Sequence, residues 1–394
     1  MPFDVARARQ ETPGCERVLH FNNAGAALMP RPILDATVDF LALEAEIGGY
    51  EAAAREDPAL ERVYAAAAEL LGCHRDEIAF VETATRAWDM AFYALPFRPG
   101  DRILTARAEY ASNVVALLQV ARRTGAVVEV IPSDDTGQVS VAALAAMIDD
   151  RVKLIAVTHV PTNGGLVNPA AAIGDVARQA GITYLLDACQ SVGQMPVDVA
   201  EIGCHILSTA GRKYLRGPRG TGLLYIQRDL CRQLEPPFLD DHAATWVAPD
   251  RYAIRDDARR FENWETNFAG KVGLACAIDY ALGWGLDAIW VRVRALGAML
   301  RAELDEIPGV TVRDIGDVRC GIVTFTAADI PAGRVKESLA AQQINVTVST
   351  VASTRFDMEA RGLSEVVRAS VHYYNDEDEI ARFCQSVAAL VRAG

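Results

Sequence analysis

A chain of 394 residues, 51% apolar and 23% charged with a formal net charge of −13, has the composition of a globular protein with a substantial core. This excludes a disordered chain. The acidic surplus also argues against a nucleic-acid partner, whose phosphates are held by clustered Lys and Arg. The length exceeds what one core usually organises, so a large unit and a smaller one are expected. Eight cysteines (Cys15, Cys73, Cys189, Cys204, Cys231, Cys276, Cys320, Cys384) are scattered without a CxxC pair, which leaves no zinc site or redox dithiol to expect. They read as reduced, mostly structural thiols. The first fifteen residues are charged throughout and no later apolar run reaches spanning length, so a cytoplasmic location away from membranes is expected.

From Ile78 to Ile226, short runs rich in β-branched residues alternate with Ala-rich helical stretches. The runs are IAFV (78–81), RILTA (102–106), VVEVIP (127–132), LIAVTHV (154–160), TYLLDA (183–188) and TGLLYI (221–226). Helix patterns lie between them, among them Ser140 to Ile148 and Ala170 to Ala180, the latter stopped by Gly181. The alternation predicts an α/β fold with a mostly parallel sheet and crossover helices. The polar stretch Asp240 to Glu262 reads as a long surface excursion bordering the site. A helical region from Lys271 to Glu306 follows, then the runs VTVRDI, GIVTFTA, NVTVSTV and VVRASVHYY, an order that suits a smaller α+β unit.

The chemistry concentrates in YLLDACQSVG and ILSTAGRKYLRGPRGTGLLYI. Asp187 falls at the C-terminal end of a parallel strand, where open α/β sheets keep their ligands. Lys213, in the Gly-rich turn that follows, can reach the same crevice. An amine able to condense with an aldehyde and an anion able to hold a pyridine nitrogen protonated are what pyridoxal phosphate (PLP) requires. Arg212, Arg216 and Arg219 surround the lysine in sequence, favouring its neutral form and attracting a phosphate. Taken singly, such residues are more often a strand-end cap, for Asp187, and a solvated loop residue, for Lys213. GPRGTG (217–222) is not a P-loop, because Leu223 and Leu224 stand where Lys and Ser or Thr belong, and GxGxxG is absent. ATP and NAD therefore lose support.

With FNNAGAALMP (21–30), ETATRAW (82–88), AEYASN (108–113), THVPTNGGLVNP (158–169), LLDACQSVG (185–193), GRKYLRGPRGTG (211–222), RFENWETN (260–267) and VRASVHYYNDEDEI (367–380), the chain resembles class V aminotransferase-fold enzymes along nearly its whole length. That group contains cysteine desulfurases, isopenicillin N epimerase-like proteins and cysteine C–S lyases. The resemblance implies PLP fold type I, with an N-terminal segment over 1–20, a large PLP-binding domain over 21–268 and a small domain over 269–394. It implies a Schiff base on Lys213 and the ring nitrogen on Asp187. Ala84 and Thr85 would bind the phosphate at a helix N-terminus, with Arg212 beside them. Tyr110 would stack on the ring and Gln190 would donate to its phenolic oxygen. Thr162 and Asn163 compete for one further cofactor contact, with Asn163 preferred. Thr266 would reach the phosphate of a neighbouring subunit, making the enzyme a homodimer with shared sites. Arg368 would clamp the substrate carboxylate, with Asn23 and Ala24 lining the substrate side.

The reaction is less determined. Residues 344–368 contain no cysteine where desulfurases keep a nucleophile, and Cys320 begins a strand as a structural thiol. The expectation is therefore β-elimination from an S-substituted cysteine or its sulfoxide. Aminotransfer, epimerisation and a regulator without turnover are the alternatives. Tyr252, Arg255, Trp264 and Arg355 are candidate substrate-facing residues, each equally an ordinary surface residue.

Overall fold

The computed structural model describes residues 3–393. Its centre is a seven-stranded sheet ordered Ile78–Val81, Gly222–Ile226, Ile206–Ala210, Thr183–Asp187, Val152–Thr158, Arg102–Thr105, Val127–Val130. Only Gly222–Ile226 runs antiparallel to its neighbours. The sheet is thus mostly parallel, and both faces are covered. Leu185, Leu154 and Ile206 pack on the face holding the helices Ala84–Phe92 and Ala111–Thr124. Tyr184, Leu186, Ile155 and Leu207 alternate onto the opposite face, beside Ala170–Ala180. Double coverage is why these strands read as unbroken apolar runs instead of alternating ones. One strand, Ile206–Ala210, has no counterpart among the predicted runs; its Ser208 and Thr209 dilute the apolar signal.

A second sheet, wholly antiparallel, is ordered Val310–Val312, Ile322–Ala327, Glu365–Ser370, Thr347–Thr350. The N-terminal chain is stitched to this side of the molecule. Leu19–His20 pairs in parallel with Ile344–Asn345, and Asn22 bridges to Ser370.

Two expectations gain detail. The helical region beginning near Lys271 is two helices, Phe268–Trp284 and Leu286–Asp305, bent by 80° at Gly285, whose φ of 82° favours glycine. No single helix among the described residues is long and apolar enough to cross a membrane. The excursion over 240–262 is structured, not merely a surface loop. It forms the hairpin Ala244–Ala248 with Arg251–Ile254, then returns to the core through Ala258, Arg260 and Phe261.

Candidate active site

The strand order reverses between Arg102–Thr105 and Val152–Thr158, and a crevice opens beyond the C-terminal ends of these strands and of Thr183–Asp187. Ala84, Thr85, Tyr110, Asp187, Gln190 and Lys213 all line it. Parallel strands end together, so residues far apart in sequence meet at one edge.

Asp187 is buried at the crevice floor. Its Oδ1 accepts the Cys189 amide at 2.9 Å and its Oδ2 accepts Asn113 Nδ2 at 2.9 Å. Lys213 is half-buried in the turn after Ile206–Ala210. Burial is the main force holding its ammonium below the ordinary lysine range; Arg212 and Arg368 add to this, while Cys189 and Asp187 oppose it. A lysine so placed is more readily the neutral nucleophile. The turn from Asp187 passes close under the lysine loop: a Cβ on Gly193, at φ +92°, would lie 2.4 Å from the Tyr214 carbonyl carbon. Only glycine lets the two segments approach.

Of the three arginines expected around Lys213, one is elsewhere. Arg216 is fully buried with φ 62°, donating from Nε to Leu28 O (2.8 Å), from NH1 to Tyr373 Oη (2.8 Å) and from NH2 to Thr12 Oγ1 (2.5 Å). It also stacks 4.4 Å from the Tyr374 ring centre. Its fork ties the lysine loop to the N-terminal chain instead of facing a ligand. Arg212 and Arg219 do line the outer crevice, beside Thr83, Ala84 and Thr85. Neither forms an ion pair with a carboxylate among the described residues.

Arg368, on the central strand of the second sheet, is buried and donates to Thr162 Oγ1 and O. Burial lowers its guanidinium to about 10, so it stays charged at neutral pH. Its Nε has no partner and no carboxylate pairs with it among the described residues. Thr162, not Asn163, lines the crevice, with Thr158 and Val160 beside it where the chain bends after the strand Val152–Thr158. Asn163 instead donates to Thr354 Oγ1 at 2.9 Å and to Met358 Sδ at 3.3 Å. Gln190 donates to Ala24 O at 3.0 Å and leaves Oε1 unpartnered. Asn23 is wholly engaged inside the protein, by His20 O (3.1 Å), Ser370 O (2.7 Å) and the Tyr374 hydroxyl, while the Ala24 amide donates to Ser370 Oγ (2.9 Å).

The remaining candidates lie outside the crevice of their own chain. Thr266 is half-buried just before the helix Phe268–Trp284. Tyr252 donates to Glu235 at 2.7 Å, Arg255 pairs with Asp257 at 3.0 Å, Arg355 pairs with Glu359 at 2.5 Å, and Trp264 is exposed. No residue of 240–262 lines the crevice. Sequence reasoning gave no site role to Cys189, Asn113 and Thr158, and set Thr162 behind Asn163, yet all four line the crevice. Cys189 had a signal, standing two residues after Asp187 at a strand end; its thiol is pushed up by burial and stays protonated.

These residues fit a PLP molecule. The first-turn amides of Ala84 and Thr85 have no acceptor within their helix and, with Arg212, face one anion-sized space. A Cβ on Gly222 would lie 2.9 Å from the Ala84 nitrogen, so the cradle depends on that glycine. Gln190, with Oε1 unpartnered, lines a further wall, and Arg368, with Nε unpartnered, lies behind the crevice-lining Thr162. Lysine, facing carboxylate and helix N-terminus at this sheet edge define a PLP-dependent enzyme of fold type I.

The aminotransferase class-V family model matches residues 19–383, and the chain belongs to that family. It is 31% identical to a cysteine desulfurase of Dickeya dadantii, over 99% of this chain and 96% of that one. The apo cysteine desulfurase of Thermococcus onnurineus NA1 superposes with a TM-score of 0.92 at 26% identity, covering 100% and 99% of the two chains. The cystine C–S lyase C-DES, in complex with its product cysteine persulfide, shares the fold with a TM-score of 0.86 at 22% identity, covering 96% and 99%.

Proposed function

We propose that this enzyme cleaves the Cβ–S bond of an S-substituted cysteine by β-elimination, releasing the sulfur fragment, pyruvate and ammonia. The observation that carries the amino-acid assignment is Arg368, a buried guanidinium without a carboxylate partner among the described residues, held against the crevice-lining Thr162. A planar fork there suits a substrate α-carboxylate. PLP supplies the electron sink that weakens the bonds at the substrate α-carbon. Lys213 Nζ is the amine that holds the cofactor and, once released by substrate, the base that takes the α-proton. Asp187 keeps the ring nitrogen protonated, Tyr110 covers the ring, and Ala84, Thr85 and Arg212 hold the phosphate. Gln190 retains a second amide hydrogen for the phenolic oxygen, and Thr162 supports Arg368.

Loss of the α-proton then expels the sulfur with its bonding electrons, and hydrolysis of the three-carbon remainder gives pyruvate and ammonia. The absence of a cysteine over 344–368 supports this outcome, because an enzyme that takes sulfur from free cysteine needs a thiol to receive it. The second reading, desulfuration of cysteine to alanine, is favoured by the names of the relatives and by Cys189, a thiol on the crevice wall. Products separate them. Cystine, S-alkylcysteines and their sulfoxides are expected to yield pyruvate in step with sulfur release; alanine with a persulfide on Cys189 would overturn the elimination. Keto-acid formation from another amino acid, or inversion at its α-carbon, would do so in favour of aminotransfer or epimerisation.

The working unit in this proposal is a homodimer. Leu34, Val38 and Leu41 form an exposed apolar stripe on the helix Arg31–Ile47, and Thr266 lies outside its own crevice, available to another. Sedimentation of the holoenzyme is expected to give a dimer with one cofactor per chain. A monomer with full cofactor content and full activity would overturn it.

A further inference from the structure

Asn113 stands between two buried carboxylates. Its Nδ2 carries two hydrogens, donated to Asp187 Oδ2 at 2.9 Å and to Glu109 Oε1 at 2.9 Å. Glu109 also accepts the Tyr110 amide (2.9 Å), the Thr158 amide (2.9 Å) and the Thr158 hydroxyl. It is 2% exposed and does not line the crevice, so it touches neither cofactor nor substrate. Burial, reinforced by the Asp187 charge, pushes its carboxyl up to about 7, and no cation among the described residues pairs with it. A buried acid without a cation is costly, and packing alone would be served better by an apolar side chain.

The arrangement has a directional consequence. Asp187 can be met by Asn113 only through Nδ2, since a turned amide would set Oδ1 against the carboxylate. Glu109 favours that same orientation from the other side, because its Oε1 also accepts the Tyr110 amide and its Oε2 the Thr158 amide. Thr158 links the pair again: it is the register partner of Asp187 across two parallel strands, and its amide donates to Glu109. The Cys189 amide holds the second Asp187 oxygen. Both rotations of the Asp187 carboxylate are thereby restrained.

We propose that Glu109 and Asn113 are positioning residues for Asp187, fixing the direction in which its carboxylate meets the cofactor's ring nitrogen. The proposal rests on the assignment of Asp187 made above. A merely structural pair would support the cofactor whatever its ring contains; a positioning pair acts through the ring nitrogen alone.

The test compares the affinity of the full-length apoprotein for PLP and for its 1-deaza analogue, in which C–H replaces the ring nitrogen. Asn113→Ala and Glu109→Ala are expected to weaken PLP about tenfold and the analogue less than twofold. Equal weakening of both, or none, overturns the proposal. Should an alanine variant not fold, Glu109→Gln reads the same ratio, because its amide permits Asn113 to turn and is expected to lower the preference for PLP. Asp187→Ala is the reference arm. If it abolishes the preference while the Glu109 and Asn113 variants keep it, the positioning role alone fails; if it too keeps the preference, the assignment of Asp187 fails with it.

Discussion

Lys213→Ala is expected to lower kcat/KM by about four orders of magnitude or more, the largest effect of any single substitution in the crevice. Two roles fail together. The variant loses the amine proposed to anchor the cofactor, which is also the only lysine lining the crevice among the described residues and so the proposed acceptor of the substrate α-proton. Lys213→Arg keeps the charge and loses the chemistry, since a guanidinium does not act as a base near neutral pH. Borohydride reduction of the wild type followed by peptide mapping is expected to place the pyridoxyl group on Lys213; labelling of Lys153, Lys271 or Lys336 would overturn the assignment. Because burial holds Lys213 below the ordinary lysine range, capture of PLP by the apoprotein is expected to become half-maximal at a pH below that range. The sign follows from the reacting form: the neutral amine attacks, and its fraction rises as pH rises through the lowered value.

Arg368→Ala is expected to reduce kcat/KM by ~10²–10³-fold, mostly through KM, with Arg368→Lys recovering part of the loss. A point charge replaces the attraction but not the planar fork that orients the carboxylate. Stability should move the other way. Arg368 buries a cation with only Thr162 to meet it, and relief of that desolvation is worth on the order of 1–3 kcal/mol, so Arg368→Met is expected to raise the melting temperature of the apoprotein. A lowered melting temperature together with unchanged KM would show that Arg368 serves the second sheet and not the substrate.

The pairing of Asp187 with Lys213 was legible because both follow strand ends within one stretch of chain, and strand ends in a parallel sheet share an edge. The three arginines near Lys213 were not separable in sequence. Arg216 takes a left-handed backbone and turns into a cage of Tyr373, Tyr374 and Thr12, none of which lies near it in the chain. The choice between Thr162 and Asn163 could not be read from strand period, because the strand ends at Thr158 and the chain bends before either residue. Gly285, by contrast, marked the break in the helical region at which the chain turns by 80°.

By itself, then, the sequence determined the class of fold, the strand that delivers Asp187 and the turn that delivers Lys213, because these depend on periodicity and on glycine placement over short distances. It could also mark Glu109 and Asn113 as neighbours, four residues apart across the start of one helix. That Asn113 spans to Asp187, that Arg368 lies buried against Thr162, and that Cys189 faces the crevice were decided only when the sheet brought separate strands to a common edge. Local patterns specify elements. Which donor meets which acceptor across 74 residues of chain, or 206, depends on strand order and packing.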